Sequence, residues 1–416
     1  MRLAVCASAL GLLFSASAYA QMPPAAPPPA APPPAMEAVP PPPPPPPAPV
    51  VEVPPSTPAA VMAAPAPAAA PATAVSGAPS PKFTFGGLVD AYYLFNFTRP
   101  DGANTLYGPS GGIGRAFDTN SNSITLALTK LSMNASLDPV SMQLDIGYGS
   151  VGSIINGANT GAPTASGTTA SAFLIEQAYG EIALPGNLTL DFGKFVTTAG
   201  AEVIEANKNW LYSRSMLFNI IPLLHTGVRA NLKVNDNLTL QAGIVNGWNN
   251  DPDNNAWKTG EVSAAITVNP MVSIIATTYF GKESTQTATD SSTPGDTRFL
   301  GDLVVALTLN DKVGLNLNID YIKEGGNYYL GAAAMGRFVV ADHLYLAARA
   351  EYVGAHSDAL SHTSNFEEGT VMAGIPVGKN FELRPEVRAD FAGDANTFAG
   401  TKKNQVTAEL AALTFF

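Results

Sequence analysis

Apolar and polar residues alternate along many stretches of this chain after residue 82, and this pattern constrains the fold most. Residues 140–148, 313–321 and 381–391 show it most clearly. Side chains of a β-strand point alternately to its two faces, so each stretch predicts a strand with one apolar and one polar face. In 313–321 the apolar face consists of Val313, Leu315, Leu317, Ile319 and Tyr321.

The whole chain read in this way contains sixteen candidate strands, and their connections alternate in length. Short turns such as 138–139 and 235–236 are separated by longer polar segments such as 98–122, 150–171 and 356–365. An outer-membrane barrel is connected in this way. The predicted strands are 83–97, 123–137, 140–149, 172–184, 187–195, 224–234, 237–248, 259–268, 271–281, 297–309, 313–323, 328–340, 344–355, 366–376, 381–391 and 405–416.

A soluble barrel would show the same alternation, so further evidence is needed to decide whether the barrel is surrounded by water or by lipid. Charged residues make up only 13% of the chain and the mean hydropathy is +0.11, which is apolar for a soluble exported protein. Sixteen strands would also enclose more volume than side chains can fill, and the apolar outer face would adhere in water. We therefore predict an all-β fold, a transmembrane antiparallel β-barrel of about 16 strands over 82–416, surrounded by outer-membrane lipid.

The N-terminus has the pattern of a secretory signal peptide. Arg2 precedes an apolar stretch over residues 3–14, and an A-x-A pattern ends at Ala20. The stretch is shorter than the roughly 20 residues that a membrane-spanning helix needs. We predict that residues 1–20 are removed between Ala20 and Gln21, together with Cys6, the only cysteine.

Residues 21–81 hold most of the 36 prolines, with alanine between them, and residues 40–47 are all proline. Such a segment disfavours helix and sheet and adopts extended polyproline II conformations. We predict a disordered Pro/Ala-rich periplasmic segment. It is either a spacer or an arm that contacts the cell wall.

Charge and histidine content argue against several classes of function. The net charge is −11, so the chain is not expected to bind nucleic acid. A barrel hydrolase would need a serine beside a histidine base, but His225 is predicted to face inward, His343 lies in a turn, and His356 and His362 share one loop. We therefore expect no enzyme and no cofactor.

One group of potential metal ligands lies close together in the sequence near the last long loops. Polar loop residues without fixed geometry are usually solvated, so we predict no metal site. The group consists of His356, Asp358, His362, Glu367 and Glu368.

The segment 196–223 combines charges with many large apolar residues, which a loop exposed to water would not hold. We predict that it folds into the barrel and narrows it, with Glu202, Glu205, Lys208 and Arg214 at the constriction. An external cap and a subunit contact are the alternatives. The apolar residues are Trp210, Tyr212, Leu217, Phe218, Ile220 and Ile221.

Alternation also predicts which charges line the lumen, and five of them form a ladder on the strand 381–391. Opposite charges that lie close together would set a transverse field, whereas the alternative is that wetted positions tolerate any charge. The acidic excess among inward residues predicts a weak preference for cations. The predicted lining residues are Arg229, Arg298, Arg337, Arg349, Glu382, Arg384, Glu386, Arg388 and Asp390; the further inward acids are Asp90, Asp191, Glu261, Asp302, Asp320, Glu351 and Glu409.

Two stretches interrupt the pattern. The apolar phase changes within the second strand near Lys130, and Pro385 lies in the middle of the fifteenth strand, where it cannot donate to the sheet. We expect a β-bulge in the first case and a bulge or weakened pairing in the second.

The last residue, Phe416, ends an alternating strand. This resembles outer-membrane barrel proteins in general, which commonly end in an aromatic residue that the barrel assembly machinery recognises. The resemblance implies a Gram-negative outer-membrane location and assembly through that machinery.

A more specific resemblance lies in 193–229, which reads GKF, EVIE, NW, YSRS, LF and HTGVR in order, and in LRPEVRADF at 383–391. These motifs resemble the OmpL-like β-barrel porins. The resemblance implies a pore over 82–416 for small solutes or ions, and sixteen-stranded barrels of this kind are often homotrimers. A structural or adhesive protein, whose barrel anchors an arm that contacts the cell wall, is the alternative.

Overall fold

The computed structural model describes residues 80–98, 114–159, 171–283, 295–357, 362–393, 398 and 402–416. The predicted signal peptide, with Ala20 and Gln21, and almost all of the Pro/Ala-rich segment lie outside the described residues. No helix in the described ranges is long and apolar enough to cross a membrane.

Sixteen antiparallel strands form a closed barrel in which each strand pairs with its neighbours in the sequence and β1 pairs with β16. The predicted all-β barrel of sixteen strands is therefore confirmed. The strands are β1 (Lys82–Asn96), β2 (Ser123–Leu137), β3 (Val140–Tyr148), β4 (Phe173–Leu184), β5 (Leu188–Val196), β6 (Leu224–Asn235), β7 (Leu238–Val245), β8 (Thr259–Asn269), β9 (Val272–Lys282), β10 (Thr297–Asn310), β11 (Val313–Glu324), β12 (Asn327–Ala341), β13 (Leu344–Ser357), β14 (His362–Pro376), β15 (Phe381–Ala392) and β16 (Asn404–Phe415).

The two faces of the barrel differ in chemistry. Apolar side chains point outward and are exposed, for example Phe192 (55%), Ile244 (62%) and Val371 (60%). The inward positions carry the charged side chains, such as Glu351 and Arg388, which are buried. A soluble barrel has the reverse arrangement, so the outer surface fits hydrocarbon and not water.

The long connections contain structure that the alternation did not predict. A helix, α1 (Ser150–Asn159), follows β3 where a loop was expected. Val151 and Ile155 are buried on it, which explains its helical spacing of apolar residues. The predicted loop 356–365 was also too long, because His356 lies in β13 and His362 begins β14.

Both predicted irregularities occur. The register between β1 and β2 shifts because Asp90 pairs with Leu128 and Ala91 with Leu126, which leaves Ala127 as the extra residue of a bulge. Pro385 pairs with Leu410 on one side, but the ladder between β14 and β15 is interrupted beside it. Proline has no N–H to donate, so the loss of pairing on one side follows.

Phe416 extends the closing seam beyond β16. Its backbone N–H and C=O both hydrogen-bond to Gly87 at 3.1 Å. A β-carbon at residue 87 would lie only 2.4 Å from the ring of Phe416, which is too close for any other residue type. Glycine at this position therefore admits the terminal aromatic ring, which is 76% exposed on the outer face.

Candidate functional site in the barrel interior

The segment 196–223, which joins β5 to β6, bonds to inward side chains of several strands. It contains a short 3-10 helix (Ala206–Lys208) and α2 (Met216–Ile220). Ser215 caps α2 by accepting a hydrogen bond from the N–H of Phe218 at 3.0 Å. Leu217, Phe218 and Ile221 are buried in a packed cluster, whereas Val203 is 40% exposed.

Two inward charges of β13 hold one end of this segment. Arg349 donates to the carboxylate of Glu202 at 2.9 Å and to the carbonyl of Ser213 at 2.7 Å. Glu351 accepts from the first two N–H groups of α2, those of Met216 and its neighbour, both at 2.7 Å. These N–H groups have no partner within the helix, and a carboxylate satisfies them.

The predicted charge ladder of β15 binds the backbone of the same segment. Arg384 donates to two of its carbonyls, at 2.7 and 3.0 Å. Glu386 accepts from the N–H of Tyr212 at 2.8 Å, and Arg388 donates to the carbonyl of Arg214 at 2.6 Å. Side chains predicted to face an open pore are therefore partners of irregular buried backbone.

A third attachment lies across the closing seam from β15, around Lys130 of β2. Its ammonium is 2.6 Å from carboxylate oxygens of both Glu176 and Glu205 and 3.0 Å from Asp145. The three carboxylates approach one another closely enough to hold a metal ion, but the ammonium of Lys130 contacts all three and compensates their charge.

Glu205 shows the electrostatic consequence. Burial acts to raise the pKa of its carboxyl group, but the charges of Lys130 and Lys208 outweigh burial and lower the pKa to about 2. Lys208 contributes from within the segment, with its ammonium 2.6 Å from the carboxylate. Glu205 therefore stays ionised and links the segment to β2.

A second piece of chain, residues 114–122, also contacts the interior. Arg115 pairs with Asp118 and donates to Thr407, and Phe117 packs edge-on against Phe218 at 5.6 Å. The alternation pattern predicts only a long polar connection over 98–122 and does not identify these residues. The sequence R-A-F-D at 115–118 combines charges with a large aromatic residue. The same combination predicts that 196–223 folds into the barrel, so it could have identified this segment as well.

The four predicted constriction residues have different environments. Glu202, Glu205 and Arg214 are 3–6% exposed, whereas the side chain of Lys208 is 61% exposed. Arg214 does not meet an acid of the wall. It donates to the carbonyl of Val203 at 3.1 Å and to two further carbonyls of its own segment.

The remaining predicted lining charges face inward, and most are paired. Arg229 forms two hydrogen bonds to Glu261, at 2.6 and 3.0 Å, and Arg298 binds Glu324 at 2.7 Å. The half-buried Arg337 lies over the ring of Tyr345 at 4.4 Å. Three further residues of the lining set form ion pairs with residues on β14 and β15. Those three are Glu382, Asp390 and Arg349.

Two of the potential metal ligands near β13 and β14 lie on opposite faces of the barrel. Glu367 points outward and is exposed, whereas Glu368 is buried inside and pairs with Arg349. Asp358 lies outside the described residues. His225, predicted to face inward, is buried and stacks on Tyr279 with ring centroids 4.6 Å apart.

A different surface faces inward on β5–β9, in the half of the barrel nearer the short turns. Its side chains are half-buried or exposed, and they carry hydroxyl or amide groups. We call this surface the hydroxyl–amide wall, and it was not singled out in the sequence. It consists of Thr189, Asn231, Thr239, Gln241, Thr267 and Ser273.

Comparisons with solved structures give the same architecture. The chain is similar to the Salmonella typhi OmpF complex with daunomycin (10% identity, 80% of this chain and 97% of that chain, TM-score 0.54). It is also similar to the outer membrane channel DcaP of Acinetobacter baumannii (13%, 81% and 98%, TM-score 0.53). A third similar structure is the trimer form of OmpT of Vibrio cholerae (12%, 81% and 100%, TM-score 0.51).

At these identities the likeness concerns the fold alone, and no curated protein sequence matches the chain. The family model described as "Putative beta-barrel porin-2, OmpL-like" matches residues 82–416, the whole of the barrel. With the closed sixteen-stranded barrel and its apolar outer face, this match shows that the chain belongs to that family of outer-membrane porins.

Proposed function

We propose that this porin forms a water-filled channel for passive diffusion of small hydrophilic solutes or ions, and that the segment 196–223 narrows it. The observation that carries this proposal is the set of bonds from the segment to inward side chains on several sides of the barrel. They reach β2 through Lys130, β13 through Arg349, β15 through Arg384, β11 through Asn318, and β1, where Tyr212 donates to Asp90 at 2.8 Å.

The predicted constriction residues then divide into two roles. Glu202, Glu205 and Arg214 are buried and hold the segment in place, whereas Lys208 presents an exposed charge to the narrowed lumen. Among the predicted lining residues, Arg337 is half-buried and free of an ion pair within the described ranges. We therefore propose Lys208 and Arg337 as the charges that passing ions encounter first.

Planar-bilayer recordings test the narrowing directly. Replacement of residues 206–210 by a glycine–serine linker of equal length should raise the single-channel conductance above that of the wild type. The same replacement of residues 253–257, between β7 and β8, serves as the control and should leave the conductance of the open channel unchanged. Wild-type protein that does not conduct would overturn the channel, and equal conductance of the two variants would overturn the narrowing.

Several partners remain part of the proposal. The outward apolar residues contact outer-membrane lipid, Phe416 is recognised by the barrel assembly machinery, and three copies assemble as in the trimer form of OmpT. A second role for residues 21–81 as an arm that contacts the cell wall is favoured by their proline content. Deletion of 21–81 should detach the envelope and leave the conductance unchanged, and an envelope that stays attached would overturn the anchoring role.

A further inference from the structure

The interior of this barrel is not lined uniformly, and the difference bears on which solutes pass. The walls formed by β13, β15, β1 and β2 are covered by the segments 114–122 and 196–223, which bury the inward charges there. Glu386 and Arg388, for example, are 3% and 1% exposed. A solute cannot touch these side chains unless the covering chain moves.

The hydroxyl–amide wall is an accessible part of the interior surface. Thr239 and Thr267 are exposed and Gln241 is half-buried, although all three point inward. Neighbouring strands place these groups side by side, since Asn231 pairs in register with both Thr189 and Gln241. Exposure of inward side chains marks the space that water and solute occupy.

The chemistry of this wall suits neutral solutes. A hydroxyl group both donates and accepts hydrogen bonds, and an amide offers two N–H groups and a carbonyl oxygen. Lys233 near the mouth already pairs with Asp236 at 2.8 Å, and Arg229, deeper in the barrel, is neutralised by Glu261. Groups of this kind exchange hydrogen bonds with a hydroxylated solute without desolvating a charge.

We propose that the path through the channel runs along the hydroxyl–amide wall and favours small neutral polyhydroxylated solutes, such as monosaccharides, over charged solutes of equal size. This inference rests on the proposed channel and deepens it by naming the solute class.

Liposome-swelling rates with three probes of nearly equal size test the proposal. These probes are glucose, gluconate and glucosamine. Wild-type protein should admit glucose faster than either charged probe. A Thr239→Val/Gln241→Leu double variant should admit glucose roughly threefold more slowly, the factor that corresponds to loss of about one net hydrogen bond. Asn237→Leu changes an exposed residue of the turn between the same two strands and should have no effect.

A charge added to this wall gives a second readout. Gln241→Glu should shift the reversal potential in a KCl gradient towards cation selectivity relative to the wild type. Equal or faster passage of a charged probe, or no response to any change at Gln241, would overturn the inference while leaving the channel in place. Absence of both swelling and conductance would instead overturn the proposed function on which it rests.

Discussion

The two walls of the interior use polar residues in opposite ways. On β13 and β15, charged side chains such as Arg349 and Arg384 are fully buried and bind the backbone of the segment 196–223. On β6–β9, uncharged side chains such as Thr239 and Gln241 are open to the lumen. The comparison shows that buried charged side chains on β13 and β15 hold the irregular segment, whereas uncharged polar side chains line the part of the interior that is open to water.

The physical reason lies in the cost of an unsatisfied buried group. A segment without regular structure brings its backbone N–H and C=O groups into the barrel, and each one needs a partner. Arginine offers five donors in a fixed fork, and a carboxylate accepts two N–H groups at once, so both suit irregular backbone. Side chains on a wall that is open to water can form their hydrogen bonds with water, so they need no charged partner.

The largest expected effect comes from breaking the attachment on β13. Arg349→Gln leaves the buried carboxylate of Glu202 without its cation and leaves Glu368 only the more distant Arg388, at 3.5 Å, so the free energy of unfolding should fall by about 3–5 kcal/mol. Arg337→Gln is the matched control, since its half-buried guanidinium contacts a ring, and it should cost about 1 kcal/mol or less. Denaturant unfolding in detergent measures both, and equal losses would contradict the role of Arg349 in holding the segment.

Acid should weaken the attachment at Lys130. The folded-state pKa of Glu205, about 2, lies below the ordinary value of 4.5, so the stability that it contributes is fully present above pH 4.5. That stability is lost as the pH falls through 2. The denaturant concentration at the unfolding midpoint, measured from pH 6 to pH 2, should decrease between pH 4.5 and 2. The decrease should be smaller for the Glu205→Gln variant. Parallel curves for the two proteins would contradict the role of this carboxylate.

A moderate effect is expected on β1. Tyr212→Phe removes the hydroxyl that donates to the buried carboxylate of Asp90 at 2.8 Å, at a cost of about 1.5–3 kcal/mol. Tyr93→Phe is the control, because its hydroxyl bonds to Asn122 on the exposed surface, and it should change stability by less than about 0.5 kcal/mol. Unfolding experiments that rank the two substitutions the other way would show that the hydrogen bond to Asp90 does not hold the segment.

The smallest effect on stability should come from the hydroxyl–amide wall. Gln241→Leu removes a half-buried amide that donates only a long hydrogen bond, of 3.5 Å, to the carboxylate of Glu261. The free energy of unfolding should therefore change by less than about 0.5 kcal/mol. Its effect should instead be on solute passage. A large loss of stability would mean that this wall is structural as well.

The sequence predicts the strands well because membrane strands must alternate, and the period of two is visible in single stretches such as 313–321. It also locates the important segment, since large apolar residues such as Phe218 are out of place in a wetted loop. Alternation further assigns Arg349, Arg384 and Arg388 to the inner face. These predictions rest on local patterns that one strand or one loop carries alone.

The roles of these charges could not be predicted in the same way. Whether Arg384 lines water or binds a carbonyl depends on where a segment about 175 residues earlier in the chain folds, and no local pattern records that. The same holds for Lys130, whose partners lie on β3, β4 and the segment. Helix α1 was missed because its small residues resemble those of a polar loop.

Single-cysteine chemistry tests most directly whether the lumen follows the hydroxyl–amide wall, and the chain suits it because Cys6 is its only cysteine and lies in the predicted signal peptide. Channels of the Gln241→Cys and Thr370→Cys variants are recorded in a planar bilayer before and after addition of a bulky charged thiosulfonate reagent. Both positions face inward, but Thr370 is 2% exposed beneath the covered wall. The account predicts a stepwise loss of conductance for Gln241→Cys and none for Thr370→Cys. A Gln241→Cys channel that is unaffected while Thr370→Cys is blocked would contradict it.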